Sequence, residues 1–488
     1  MNKITKYIAL SLVSVGMLAT SCEKIEDFGD TNVDPTKVAV ASTRALLTNA
    51  MQEINTRELF MGGGQSGTMA QHLSEGPYLT FSGYNNATGG QAYSGFYSTA
   101  LIQLKKIIDY NNAGTVEADP GANGSKNNQI AVARIMKAFI FWKLTDRWGD
   151  LPYSEALQGG DNITPKFDKQ QDIYTDLFKE LKEAGAQIDG GLGMQGDIIL
   201  RGDMAGWKKF AATQRMLMAL RMSKVYPAAG GLAATEFNAA MADVLASNGD
   251  NIVYQYLGGD PNNWNPWYEN YTNDNRNDYA ISKPLVDYMS ANGTGTDPRL
   301  PVYAEVLPGN AIKGLTYGIA IQTNIPNAYS RIGDERRAAG SPAYIFTYAQ
   351  VQFAKAEAAK LGWIPGGDAA AKGFYDAGID ASLAQYGVSN AAFKDATGIA
   401  YAPATAIQQI ATQRWIHSYL DGWEAWAEWR RTGFPVLAPG ANNANSVNAI
   451  PRRLMYPAAD KTVNKANYDA VVAQQGADNL NTRMWWDK

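Results

Sequence analysis

The chain reads as a mainly α-helical protein, with paired helices concentrated in its first half and a loop-rich remainder. Three observations predict this. Apolar residues recur every three or four positions in several separate stretches. Strand-like alternation is scarce. Gly- and Asn-rich connections, several longer than a compact domain usually carries, separate the helical stretches. With 488 residues and 45% hydrophobic content, the chain can bury a large core.

The elements follow in order. Lys3 and Lys6 precede an apolar run, Tyr7 to Ala19, too short to span a bilayer as a helix. Ala19, Thr20 and Ser21 then lead into Cys22, the only cysteine. Residues 1–21 read as a secretory signal, and Cys22 as the acylated first residue of the mature chain. A plain signal with an incidental thiol is the competing reading. Each buried acyl methylene contributes roughly 0.8 kcal/mol, so two or three long chains can hold a protein on a membrane. Residues 22–37 are acidic and turn-rich and read as a tether.

Helical periodicity starts near Ser42. Ile130, Ala133, Met136, Ile140 and Leu144 form one stripe. Ile173, Leu177, Leu181, Ala184 and Ile188 form another, opposite Lys179, Glu180, Lys182 and Glu183. A third helix is expected from Met204 to Tyr226, stopped by Pro227. A fourth carries Tyr344, Tyr348, Val351, Ala354, Ala358 and Leu361, and a fifth runs from Pro403 to Thr432. The best strand is Ile252 to Tyr256. Helix pairing in the first half suggests a helical-repeat scaffold without a strict sequence period. No low-complexity linker divides the chain, so 38–488 is expected to be one interwoven body.

Composition narrows the function classes. A net charge of −4 argues against nucleic acid as the main partner. His72 and His417 are the only histidines, without partners at metal-ligand spacing, and both read as structural. No metal site or cofactor is expected. Gly191, Gly193 and Gly196 spell G-x-G-x-x-G, but an amphipathic helix precedes them instead of a strand. They read as a flexible connection between helices. The 47 acidic residues nominate no catalytic pair, so the chain reads as a non-enzyme.

Residues 260–279 stand apart. Five rings, Trp264, Trp267, Tyr268, Tyr271 and Tyr279, lie among seven asparagines. Aromatic rings on a loop carry a solvent cost unless they pack or bind. A sugar ring suits such a place: its C–H face lies on an indole or phenol, while amides pair with its hydroxyls. Asn263, Trp264, Asn265, Trp267, Tyr268, Tyr271 and Arg276 are the candidate contacts here. Arg276 has a second reading as a salt-bridge partner of Asp274 or Asp278. Pro77 to Gly95 is a similar segment and adds Tyr78, Phe81 and Tyr84, with Tyr93 further along. The competing reading is that these rings anchor their loops to the helices.

Several blocks, taken together, resemble the SusD/RagB-like family of outer-membrane nutrient-binding lipoproteins, in its second SusD-like branch. They are Cys22 with DTNVDPTK (Asp30–Lys37), TDRWGDLPYSEAL (Thr145–Leu157) and YIFTYAQVQFAKAEAAKLGW (Tyr344–Trp363). QRWIHSYLDGWEAWAEWRRTGFP (Gln413–Pro435) and IPRRLMYP (Ile450–Pro457) complete the set. Read by themselves, these blocks are fold determinants. Trp148 to Pro152 stops a helix, Trp423, Trp426 and Trp429 face a core, and Arg430 and Arg431 suit a helix C-terminus. The resemblance implies tetratricopeptide-like helix pairs, attachment to the outer membrane through the Cys22 lipid, and display at the cell surface. It also implies association with a SusC-like TonB-dependent β-barrel transporter, which receives bound glycan. The acidic Glu23, Glu26 and Asp27 resemble the family's surface-export signal. Peptide cargo and surface glycosidase activity are the other readings.

Overall fold

The computed structural model describes residues 40–55, 61–85, 93–290, 296–320 and 324–487. The signal, Cys22 and the 22–37 tether lie outside the described residues. Residues 42–488 group by their contacts as one unit.

Helices dominate. They are α1 (Thr43–Ile54), α2 (Met61–Met69), α3 (Ile102–Ala113), α4 (Lys126–Trp148), α5 (Gln170–Gln187), α6 (Met204–Arg221) and α7 (Leu232–Ala240). After them come α8 (Lys283–Ser290), α9 (Tyr348–Lys360), α10 (Gly367–Gln385), α11 (Ala406–His417), α12 (Gly422–Thr432) and α13 (Lys465–Gln475). From α3 to α7 each helix packs on the next, as α9 does on α10. This is the paired arrangement expected of the first half, with a further pair in the second.

Local sequence explains most boundaries. The Ser125 hydroxyl caps α4 by accepting from the Asn128 N–H at 3.2 Å. Gly149 ends that helix at φ +84°, and a Cβ there would meet the Gln475 amide. The apolar stripe on α4 understates its environment: Val132, Ile135, Phe139, Phe141 and Trp142 on its other sides are buried too. It is a central helix, enclosed all round. Helix α5 keeps the predicted two faces, with Ile173, Leu177, Leu181 and Ala184 inside and Lys179, Lys182 and Glu183 exposed.

Three expectations are corrected. The fourth helix starts at Tyr348, because Thr347 and Gln350 form a reciprocal capping box. Tyr344 lies instead on a strand. The expected fifth helix is two, α11 and α12, broken where Leu420 takes φ +69° and Asp421 caps the second. Gly422 opens α12 against the backbone of Ser66, where a Cβ would lie 2.2 Å from the carbonyl carbon. The Gly191–Gly196 connection is well tied down: Asn128 donates to the carbonyls of Gly191 and Leu192 at 3.3 and 3.1 Å, and Gln195 N–H to that of Asn123.

Among the described residues, six short strands form three antiparallel ladders. Strand β1 (Leu73–Glu75) pairs with β5 (Tyr279–Ile281), β2 (Leu151–Pro152) with β3 (Phe167–Asp168), and β4 (Ile252–Tyr254) with β6 (Ala343–Phe346). The described family-like blocks, from Thr145 onward, meet in the core. Arg431 grips Glu357 and Glu428, each at 2.6 Å, and Arg414 reaches Glu428 at 2.6 Å. Arg221 pairs with Glu424 at 2.7 Å and Glu428 at 2.9 Å. Lys143 reaches Glu424 at 3.3 Å. Arg430 lies 3.6 Å from the Trp426 ring centre. The two arginines expected to serve the dipole of α12 therefore sit inside the protein. The reason is tertiary: the carboxylates that hold Arg431 come from α9 as well as α12.

Burial raises the Glu428 carboxyl, but Arg414, Arg431 and Arg221 outweigh it and hold Glu428 well below the ordinary glutamate range. Both histidines are buried and neutral. Burial takes each down to about 3, while Trp415 supplies a backbone acceptor to His72 and nearby Arg299 and Arg414 further depress His417.

Candidate ligand-binding site

The β1–β5 ladder joins the two aromatic segments. Its register sets Glu75 opposite Tyr279, and the Gly76 N–H extends the pairing to the Asp278 carbonyl at 3.0 Å. One segment leaves β1 where the other enters β5. The two segments therefore meet at one end of the ladder, although they lie about two hundred residues apart in sequence.

Glu75 organises the first segment. One carboxylate oxygen accepts from the Phe81 N–H, the Ser82 N–H and the Ser82 hydroxyl, at 2.8, 2.7 and 2.8 Å. Burial raises this carboxyl above its ordinary range, against the lowering effect of those three donors. The clamp leaves Tyr78 54% exposed on the outside and Phe81 half-buried. Tyr84 turns inward at φ +58°. It is 3% exposed, and burial pushes its hydroxyl up to about 12. Tyr93 packs edge-on against Trp148, away from this end.

Asparagines and an aspartate shape the second segment. Asp260 caps the turn Pro261–Asn263, and its carboxylate takes the Asn263 amide. Asn265 caps the short helix Pro266–Tyr268 through the Trp267 N–H at 2.8 Å, and donates to the Ser341 carbonyl at 2.8 Å. Trp267 is buried edge-on against Tyr279, with centroids 5.6 Å apart. Trp264 and Tyr268 form the outer pair, edge to face at 5.0 Å, and the Trp264 indole N–H is held by the Gly258 carbonyl at 2.9 Å. Tyr271 lies beneath the Arg337 guanidinium at 3.8 Å. Arg276 is exposed and pairs with Asp278 at 2.6 Å.

The ten candidate contacts thus divide. Tyr78 and Arg276 are exposed, while Phe81, Asn263, Trp264, Tyr268 and Tyr271 are half-buried. Tyr84, Asn265 and Trp267, expected on this outer surface, are corrected to buried positions. All three are inside, because tight turns and caps need buried anchors. Sequence reading missed Glu75 and Arg337. A lone acid just before the ring-rich segment was the available signal for Glu75. Nothing local marked Arg337, which reaches Tyr271 from across the fold.

The accessible parts are ring faces and edges, an ion pair and amide groups, an arrangement suited to a neutral, hydroxyl-rich ligand. Among the described residues, no group of three or more His, Cys, Asp and Glu is placed to hold a metal ion. No described helix is long and apolar enough to cross a membrane.

Comparison with known proteins gives a consistent set of matches. The SusD-like family model described as starch-binding, associating with outer membrane, matches residues 35–457. Among solved structures, a chitin-binding protein is 30% identical, with a TM-score of 0.73 over 91% of this chain and 100% of that one. A chitin-binding SusD homologue from Flavobacterium johnsoniae is 25% identical, with a TM-score of 0.72 over 91% and 98%. A SusD homologue from Bacteroides fragilis shares the fold at 24% identity and a TM-score of 0.76, over 92% and 100%. No curated protein matches.

Proposed function

The chain belongs to the SusD-like family of starch-binding proteins that associate with the outer membrane, and from that premise we propose that it is a non-catalytic, glycan-binding lipoprotein. It captures an oligosaccharide at the shared end of the β1–β5 ladder and hands it to a TonB-dependent β-barrel transporter of the SusC type. Acyl chains on Cys22 hold it to the outer membrane, with the body on the cell surface.

One observation supports this reading: the β1–β5 ladder joins the segment that carries Tyr78 to the segment that carries the Trp264–Tyr268 pair. Flat rings on a rigid support gain contact area with a sugar at little cost in conformational entropy. Tyr271 and Arg276 border the rings with a stacked cation and an ion pair that offer polar partners to hydroxyls. Two solved relatives are chitin-binding, so chito-oligosaccharides are the first ligands to test.

Calorimetric titration of the soluble body with chito-oligosaccharides and other neutral oligosaccharides tests the site. Combined Trp264→Ala and Tyr268→Ala substitution is expected to weaken the best ligand by about 2 kcal/mol. Unchanged affinity overturns the site. Peptides recovered as the copurified ligand overturn the glycan reading, and released reducing ends overturn the non-catalytic one.

A further inference from the structure

Behind the aromatic segment lies a second cavity, of about 50 Å³. Trp267, Arg336, Ser341, Tyr344, Tyr386 and Tyr419 are among its walls. Trp267 shows its other side here, so this cavity and the Trp264–Tyr268 pair flank one short helix. Half-buried Pro266, Pro342, Tyr344 and Gln385 line its way to the surface.

Two donors in it lack partners. Arg336 lies over the Tyr386 ring at 5.4 Å, and its Nε is buried without a hydrogen bond. The Ser341 hydroxyl is buried and unpaired as well, in a residue only 6% exposed. Neighbouring Arg337 stacks on Tyr271 and pairs with Asp334 and Glu305 through one terminal nitrogen, while its other is buried without a partner among the described residues. Buried polar groups without partners cost free energy, and native proteins keep few of them. Several other polar walls are engaged. Thr347 bonds His417 at 2.7 Å and accepts from the Gln350 N–H. Gln385 accepts from Asn251, and Asp421 caps α12 through the Glu424 N–H.

A guanidinium has donors and no acceptor, so its complement is an acceptor, best a charged one. Roughly 10–15 Å³ suffices for one water, so this cavity has room for a small polar substituent. We propose that it is an oxyanion subsite, in which Arg336 and Ser341 hold the carboxylate or sulfate of an acidic sugar. The biological ligand then follows from the glycan reading above: an acidic oligosaccharide, its charged substituent inside and its remaining rings across the outer aromatic edge.

Saturation-transfer NMR with calorimetry, using sodium glucuronate, sodium sulfate and neutral glucose as separate probes, tests this. Either anion is expected to bind more tightly than glucose. Arg336→Gln should weaken anion binding by about tenfold or more, Arg336→Lys should recover part of it, and Ser341→Ala should weaken it by roughly threefold. Binding of glucuronate alone identifies a carboxylate site, and of sulfate alone a sulfate-ester site. Glucose bound as tightly as the anions, no binding of either anion, or an Arg336→Gln protein that binds them unchanged overturns the proposal. Ser341→Ala removes a single oxygen and decides the question if Arg336→Gln fails to fold: anion binding unchanged in that protein overturns the subsite. Neutral oligosaccharide binding in the Trp264→Ala, Tyr268→Ala protein is read separately, so each proposal fails alone.

Discussion

Two regions of this molecule are built from the same residue types to opposite ends. Around α12, arginines, carboxylates and tryptophans are sealed in the core. Arg221, Arg414 and Arg431 share Glu357, Glu424 and Glu428 in direct contact. Beside the β1–β5 ladder, Arg276, Trp264 and Tyr268 keep some surface, and each makes only a few contacts. The difference teaches where multiplicity is needed. A buried charge must have all its partners supplied by protein, since a lost one leaves desolvation uncompensated. A ligand site must leave capacity unused, because the ligand supplies the missing partner.

The comparison breaks most visibly at Glu428. Glu428→Ala strands Arg414 and Arg431, and about 3–5 kcal/mol of stability should be lost in denaturant unfolding. Folded material should still bind glycan. The Trp264→Ala, Tyr268→Ala protein should show the converse: about 2 kcal/mol lost in affinity, with a thermal midpoint near that of the parent.

Acid sharpens the contrast. Glu428 is held below its ordinary range in the folded protein, so on acidification the unfolded chain takes up this proton first. Its contribution is complete above the unfolded value and is lost as pH falls toward the folded one. Glu75 is raised, so its contribution is complete below the unfolded value and is lost as pH rises through the folded one. Thermal midpoints measured across acidic and neutral pH should therefore change slope in opposite senses. Glu428→Gln removes a part that grows with pH, and Glu75→Gln one that declines. Glu75→Gln keeps an acceptor for the Ser82 and Phe81 donors and should stay within about 1 kcal/mol of the parent at neutral pH. Smallest of all, Arg276→Ala breaks an exposed pair and should alter stability by about 0–1 kcal/mol in the same unfolding assay. A larger loss would place Arg276 with the core arginines.

Much of the fold was readable because helices announce themselves locally. The stripe on α5 and the Gly149 stop at the end of α4 lie where periodicity and glycine chemistry put them. The three tryptophans of α12 are buried, as their spacing suggested. The break at Leu420 was not readable, since its cause is the approach of α12 to the Ser66 backbone. The site was half readable. Ring-rich, amide-rich composition singled out both segments, yet composition could not separate Trp264 from Trp267, three residues apart, one at the surface and one inside.

Local pattern by itself determined that this chain is helical, that its family-like blocks build a core, and that two loops carry an excess of rings. Periodicity and turn chemistry act over a few residues, so a single strand of text records them. Only the tertiary structure decided that those loops meet, that Arg431 is shared between two helices, and that Arg336 keeps an unpaired donor over the Tyr386 ring. Such pairings depend on which distant segments a folded chain brings within bonding distance, and hydrogen bonds and ion pairs reach only a few ångströms.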